Sequence, residues 1–293
     1  MGKERILFSK VIKMERIDKI IASQTNYSRK DVKKLISQKK VRVNDEIVKR
    51  PEQKFDEQQD TIYIDENKLD MKKHIYLVLN KPQGYISATE DRTAKTVLDL
   101  VPEQYMRKGL FPAGRLDKDT TGMMIITDDG EFAHNILAPR KHIEKTYRVQ
   151  IDIDITEEMR EKFKQGIVLK DHVCCPATII VEDKNTALIT ITEGKYHQIK
   201  RMFGCFGAKV VRLHRISMGG LQLPSDLEEG QCRELTKEEL EKGYLWIYKE
   251  LYSIKNIFRR MPKTMGTIPA YLTFNFFYRR FGHFTSKVCE LLT

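Results

Sequence analysis

The densest concentration of residues able to do chemistry is Pro112-Ala-Gly-Arg-Leu-Asp-Lys-Asp-Thr-Thr-Gly-Met-Met-Ile-Ile-Thr-Asp-Asp-Gly130. A glycine-flanked turn presents Arg115 and Asp117 just ahead of an apolar run, Met123 to Thr127, whose burial as a strand would hold the loop rigid. The spacing matches neither a Walker loop nor a GxGxxG fingerprint, so the segment does not read as a nucleotide-phosphate cradle. On residues alone, Asp117 can serve as a reactive carboxylate, or it can pair with Arg115 or cap a turn. Glu144-Lys-Thr-Tyr147 sets a tyrosine at the start of a strand, where it fits either a core position or a stacking contact with a planar base. Glu193-Gly-Lys-Tyr-His-Gln-Ile-Lys-Arg-Met202 is a basic segment in which His197, alone beside Gln198, reads as structural. His214 reads the same way, and its neighbour Arg215 is a candidate for meeting a phosphate group.

These segments need a frame to hold them. From Ile75 to about Lys249 the chain alternates strand-like runs with amphipathic stretches. Ile75-Tyr-Leu-Val-Leu-Asn-Lys-Pro82 reads as a buried strand ended by proline. Met123 to Thr127, Tyr147 to Ile151, Ala177 to Val181, Ala187 to Ile191 and Lys209 to Leu213 are the other strand candidates. The pattern predicts a mixed α/β or α+β domain.

Ahead of it lies a smaller unit. Ile17, Ile20 and Ile21 share one helical face, and Ser28 is placed to cap a second helix whose inner stripe is Val32, Leu35 and Ile36. Val41-Arg-Val-Asn-Asp-Glu-Ile-Val alternates with period two around an Asn44-Asp45 turn, and Thr61-Ile-Tyr-Ile-Asp adds a strand. The expected organisation is a leader 1–13, this unit over 14–65, a polar linker 66–74, the larger domain 75–249, and a basic, aromatic tail 250–293 to which no role is assigned.

The chain of 293 residues carries 52 Lys and Arg against 41 Asp and Glu, a net charge of +11, which points to a polyanionic partner. The excess is concentrated between Ser28 and Arg50, where Arg29, Lys30, Lys33, Lys34 and Arg42 are candidates for phosphate contacts, although a charged helix face can also be merely solvated. Cys174, Cys175, Cys205, Cys232 and Cys289 include no CxxC pair and no Cys/His spacing for a zinc tetrahedron, so no metal is expected. An odd set of free thiols, no signal-peptide pattern and no run of about 20 apolar residues predict a cytoplasmic protein without a membrane span. No self-complementary apolar stripe stands out, and a monomer is the default expectation.

Arg16-Ile-Asp-Lys, Ser28-Arg-Lys and Val41-Arg-Val-Asn resemble the pattern of S4 RNA-binding domains. Gly114-Arg-Leu-Asp, continued by Asp119-Thr-Thr-Gly and Thr127-Asp-Asp-Gly, resembles the catalytic signature of the pseudouridine synthases, in the branch acting on small-subunit ribosomal RNA. The resemblance spans nearly all of residues 14 to 249. It implies an α+β fold, with an S4-like domain followed by a catalytic domain built on a mixed, largely antiparallel sheet. It also implies isomerisation of one uridine, U516 of 16S rRNA, without a cofactor, on naked RNA or a partly assembled ribosomal particle. Asp117 would then be the catalytic residue, and Tyr147 would lie against the target base. Alignment on His197-Gln198 makes Lys200 the cation paired with Asp117, with Arg201 the adjacent alternative, and Arg115 would contact the RNA backbone. A synthase for 23S rRNA and a non-catalytic S4-type assembly factor are the alternative readings.

Overall fold

The computed structural model describes residues 14–57, 59–138 and 142–243, together with 257, 258, 261, 268, 269 and 272. The leader and nearly all of the tail lie outside the described residues. The chain divides into two compact units: one runs to Lys73 and takes in Glu103–Gly109, and the other comprises His74–Pro102 and the residues from Leu110 onward.

In the first unit, β1 (Met14–Arg16) pairs antiparallel with β4 (Lys54–Asp56), and two helices, α1 (Ile17–Gln24) and α2 (Arg29–Ser37), precede a small sheet. That sheet has the order β3 (Glu46–Ile47), β2 (Val41–Val43), β5 (Ile62–Ile64), β6 (Asn67–Lys68). α2 starts where the sequence predicts: the Ser28 hydroxyl accepts from the Asp31 amide, and the Asp31 carboxylate accepts from the Ser28 amide, a reciprocal cap. Ile17, Ile20 and Ile21 of α1 and Val32 and Ile36 of α2 are buried with Val41, Val43 and Ile62 of the sheet, which closes the core. The stretch 66–74, expected to be a linker, carries β6, and its Leu69 and Met71 pack against this core.

Asp18 is fully buried, with Arg16 and Arg29 at 3.0 and 2.9 Å from its Oδ2. Burial alone would push its carboxyl up, but hydrogen bonds from Arg16 and Arg29 outweigh it and hold the group below the usual aspartate range.

The second unit is built on one sheet. Its strands are β7 (Tyr76–Lys81), β8 (Phe111–Pro112), β9 (Thr121–Thr127), β10 (Lys145–Ile151), β11 (Thr178–Asp183), β12 (Thr186–Ile191), β13 (Val210–Met218), β14 (Leu221–Gln222) and β15 (Cys232–Glu234). The order is β11-β12-β10-β13-β9-β7-β15, with β14 on β13 and β8 on β9, and every pairing is antiparallel except that of β9 with β13. Among its helices are α3 (Gly130–Leu137), α4 (Glu157–Gln165) and α5 (Gln198–Gly204). Ala133 and Ile136 of α3 enter the core with Val78, Met123 and Ile125, while Phe163 of α4 meets Phe203 of α5 with ring centroids 4.9 Å apart. The architecture is α+β with a mixed, largely antiparallel sheet.

The parallel pairing is tight. Gly122 has φ +101°, and a Cβ there would lie 2.3 Å from the Arg215 carbonyl oxygen, so only glycine lets β9 lie against β13 at this point. β13 runs beyond the predicted end at Leu213, and its period of two places Leu213, Arg215 and Ser217 on one buried side. Arg215 is 2 % exposed and its Nε donates to the Met123 carbonyl at 2.7 Å. This corrects the sequence expectation for Arg215: a guanidinium folded into the sheet cannot reach an RNA phosphate.

Candidate active site

Asp117 lies in the loop between β8 and β9, and the backbone of that loop is fixed from β7 and the segment after it. Lys81, at the end of β7, is fully buried; its Nζ donates to the carbonyls of Thr120, Asp117 and Pro82 at 2.8, 3.0 and 3.1 Å. Burial pushes the Lys81 ammonium down to about 8, although Asp119 and Asp117 pull the other way. Ser87 clamps the next turn, its hydroxyl donating to the Leu116 carbonyl at 2.8 Å and accepting from the Leu116 amide at 2.9 Å. The Gly84 amide donates to the Lys118 carbonyl at 2.9 Å. The carboxylate of Asp117 thus projects from a loop whose own carbonyls are already satisfied.

Around that carboxylate the first turn of α5 supplies the charge. Lys200 Nζ donates to Asp117 Oδ2 at 3.1 Å and to Asp119 Oδ1 at 2.5 Å. Burial would lower the Lys200 ammonium, but its hydrogen bonds to Asp119 and Asp117 outweigh this and hold it above the usual lysine range. The same contact, first its hydrogen bond and then its charge, holds Asp119 below the aspartate range against partial burial. Arg201, the other candidate cation, turns away to Asp171. A helix turn separates successive side chains by about 100°, so neighbours on α5 face different partners.

His197 Nε2 lies 3.5 Å from Asp117 Oδ1. Its backbone is left-handed at φ 47°, at the start of α5, and its ring stacks on Tyr196 with centroids 3.9 Å apart. The expectation that His197 is structural therefore needs correcting: it borders the carboxylate. Tyr196 is 76 % exposed beside the cleft.

Arg115, Asp117, Tyr147, Lys195, His197 and Lys200 all line one cleft, together with the apolar Leu116, Ile191 and Leu213. Tyr147 is 7 % exposed and stands on β10 opposite Ile189 of β12 and Arg215 of β13. The fold thus brings Asp117, Tyr147, Lys200 and Arg115 together from three separate stretches of sequence. It adds His197, which the sequence reading took as structural, and Lys81, Ser87 and Tyr196, to which it gave no role. One signal was available for Lys81, because a charged residue closing the run Tyr-Leu-Val-Leu-Asn must find acceptors once that run is buried.

The remaining candidates belong to the first unit. Lys30, Lys33 and Lys34 stand exposed on α2. Arg29 spends part of its guanidinium on Asp18, and Arg42 lies over the Tyr63 ring at 4.1 Å while its Nη1 donates to the Asn44 carbonyl. Among the described residues, no helix is long and apolar enough to cross a membrane.

Comparison with known proteins adds to this geometry. Residues 75–204 match the family model for RNA pseudouridylate synthases, and residues 15–62 match the S4 domain. The chain is 42% identical over 229 residues to the ribosomal small subunit pseudouridine synthase A of Escherichia coli K12, covering 77% of this chain and 98% of the relative. It is 40% identical over 230 residues to an uncharacterized RNA pseudouridine synthase of Bacillus subtilis, with 77% and 96% covered. A crystal structure of a pseudouridylate synthase superposes with TM-score 0.55 at 38% identity, covering 78% of this chain and 99% of that one.

Proposed function

As the chain belongs to the RNA pseudouridylate synthase family, we propose that this enzyme isomerises one uridine of small-subunit ribosomal RNA, U516 of the 16S molecule, with Asp117 as the catalytic carboxylate. The observation that carries the reading is the pairing of Asp117 with Lys200 at 3.1 Å in a cleft shared with Tyr147.

The reaction breaks the bond between ribose C1′ and uracil N1, turns the base, and joins C1′ to C5; the proton leaving C5 is balanced by the one gained at N1. Bond breaking builds positive charge on the sugar. Asp117, held by the Lys200 ammonium that it shares with Asp119, offers a carboxylate oxygen to that developing positive charge. Asp117 can meet the sugar as nucleophile or as an electrostatic partner, or take the proton from C5. Tyr147 offers a ring face to the uracil while it turns. The nucleotide has to leave its helix to reach the cleft, and exposed Arg115 at the rim can hold the displaced backbone. Tyr196 offers its exposed ring to a neighbouring base.

Lys30, Lys33 and Lys34 of the S4 unit supply sequence-independent phosphate contacts on the same RNA, free or in a partly assembled particle. The enzyme would act as a monomer in the cytoplasm, where that RNA is made. The test is to incubate the protein with unmodified 16S rRNA, and with partly assembled small subunits, and to map pseudouridine at single-nucleotide resolution beside Asp117→Asn. One new site, made by the intact protein and absent with the variant at unchanged RNA affinity, is the expected result. Substantial turnover by Asp117→Asn would refute the role of Asp117. Silence on both substrates with binding intact would favour a non-catalytic assembly factor.

A further inference from the structure

The segment that carries Lys195, Tyr196 and His197 into the cleft is anchored at Glu193. Glu193 Oε1 accepts from the Cys175 amide at 2.9 Å and from Gln198 Nε2 at 2.7 Å, and Gln198 Oε1 accepts from the Lys195 amide at 3.0 Å. The second oxygen, Oε2, is left with Lys195 Nζ at 3.6 Å, on a side chain 43% exposed that can swing out to solvent.

Beside this carboxylate stand two soft donors from the hairpin closed by the Val168–Val173 bridge. Cys174 is 2 % exposed and a free thiol, and its Sγ lies 3.6 Å from His172 Nε2. The donor atoms of His172, Cys174 and Glu193 all fall within 4.8 Å of one another. An independent feature orients the imidazole: Asp171 Oδ1 is 3.1 Å from His172 Nδ1, so a neutral ring donates there and turns the Nε2 lone pair toward Cys174. A carboxylate on the far nitrogen is the usual support of a metal-binding histidine. Arg201 pairs with the same Asp171 and keeps that carboxylate in place.

We propose that His172 Nε2, Cys174 Sγ and Glu193 Oε2 form a binding site for a thiophilic divalent ion of the zinc class, with a water as fourth ligand. A thiolate, an imidazole and one carboxylate select such an ion over magnesium or calcium, which take oxygen ligands. Zinc bonds of about 2.0 to 2.3 Å in a tetrahedron put ligand atoms roughly 3.3–3.7 Å apart, a separation that Cys174 Sγ and His172 Nε2 already have at 3.6 Å, and rotation of the Glu193 side chain would bring its carboxylate in from within 4.8 Å. On binding, the thiol releases its proton to solvent and Lys195 gives up its place at Glu193. The site was invisible in the sequence because Glu193 lies far along the chain from the His172-Val-Cys174 pair, beyond the spacing of a zinc motif, and the pairing of β11 with β12 brings it back.

The test titrates the reduced, metal-stripped full chain with Co²⁺, following the near-ultraviolet thiolate-to-cobalt transfer band, and then displaces the cobalt with Zn²⁺. One ion per chain is expected, with the band lost in Cys174→Ser and retained in Cys205→Ser, whose thiol is exposed elsewhere. Glu193→Gln and His172→Gln should each weaken Zn²⁺ binding by about tenfold or more. His172→Gln, at a partly exposed position, covers the case in which Cys174→Ser fails to fold. Mg²⁺ in large excess should leave the band unchanged. A band that survives Cys174→Ser, that vanishes only in Cys175→Ser, or that never saturates would overturn the assignment.

Discussion

Replacing Lys81 by methionine keeps the length and bulk of the side chain and removes only its charge and donors. Three loop carbonyls, those of Thr120, Asp117 and Pro82, then lose a charged donor at 2.8, 3.0 and 3.1 Å. Hydrogen bonds to a charged group are each worth about 1.5–3 kcal/mol net, so the gross loss is roughly 4.5–9 kcal/mol. Against this, burying the ammonium is itself unfavourable: its fall from 10.5 to about 8 corresponds to roughly 3 kcal/mol that methionine does not incur. The expected net destabilisation is about 1.5–6 kcal/mol, read from urea unfolding. The loop would also lose its pin, and a misplacement of about 1 Å at a reacting group can lower kcat by roughly 100-fold, with RNA affinity nearly unchanged.

A pH series isolates the lysine. Its folded-state pKa lies below its unfolded one, so the unfolded chain holds more protons between about 8 and 10.5. The unfavourable contribution of Lys81 is therefore fully present below pH 8 and is relieved as pH rises through that window; Lys81→Met should lose that share of the rise and keep the share of Lys145, which burial also pushes down to about 8. A Lys81→Met protein with unaltered stability and kcat would refute the view that this ammonium holds the loop.

Tyr196→Ala should raise KM by about tenfold while leaving kcat close to unchanged, since a base on an aromatic ring is worth about 1–3 kcal/mol, and Tyr196→Phe should restore KM; an unaltered KM would remove Tyr196 from the substrate surface. Lys33→Ala with Lys34→Ala should weaken binding to all RNA sequences alike and reduce the salt-dependence slope by about 1 to 2, measured by titration at several ionic strengths. Gly122→Ala places a Cβ 2.3 Å from a backbone oxygen at φ +101° and should cost more than about 4 kcal/mol, so a variant melting at the parent temperature would contradict the packing of β9 on β13.

The elements with a clean period were legible in the sequence. The capped helix at Ser28, the hairpin turning at Asn44 and the buried strand at Tyr76 stand where spacing places them, and the strands expected from Met123 and Tyr147 each begin two residues earlier. The candidate site was legible only in part. Asp117, Tyr147 and Lys200 could be named from motifs, and the cleft does gather them, but the choice between Lys200 and Arg201 needed the orientation of α5. Arg215 looked like a surface residue because charge suggests exposure, whereas its parity with Leu213 turns it into the sheet. Lys81 acts on carbonyls some 36 to 39 residues away, a separation that no local pattern reports.

The position of β7 sets the timing of assembly. Leu77, Val78 and Leu79 are fully buried, and one edge of their strand is covered by β9, complete at Thr127. The other edge is covered by Cys232–Glu234, about 150 residues after β7. At synthesis rates of about 5–20 residues per second, the ribosome leaves that apolar edge open for roughly 8 to 30 seconds. The helices and hairpins of the first unit close their core from nearby residues well before then. During each round of translation the chain thus passes through a state with one finished unit and a buried-type strand still open along one edge. That interval exposes it to aggregation or to chaperones before the catalytic sheet exists.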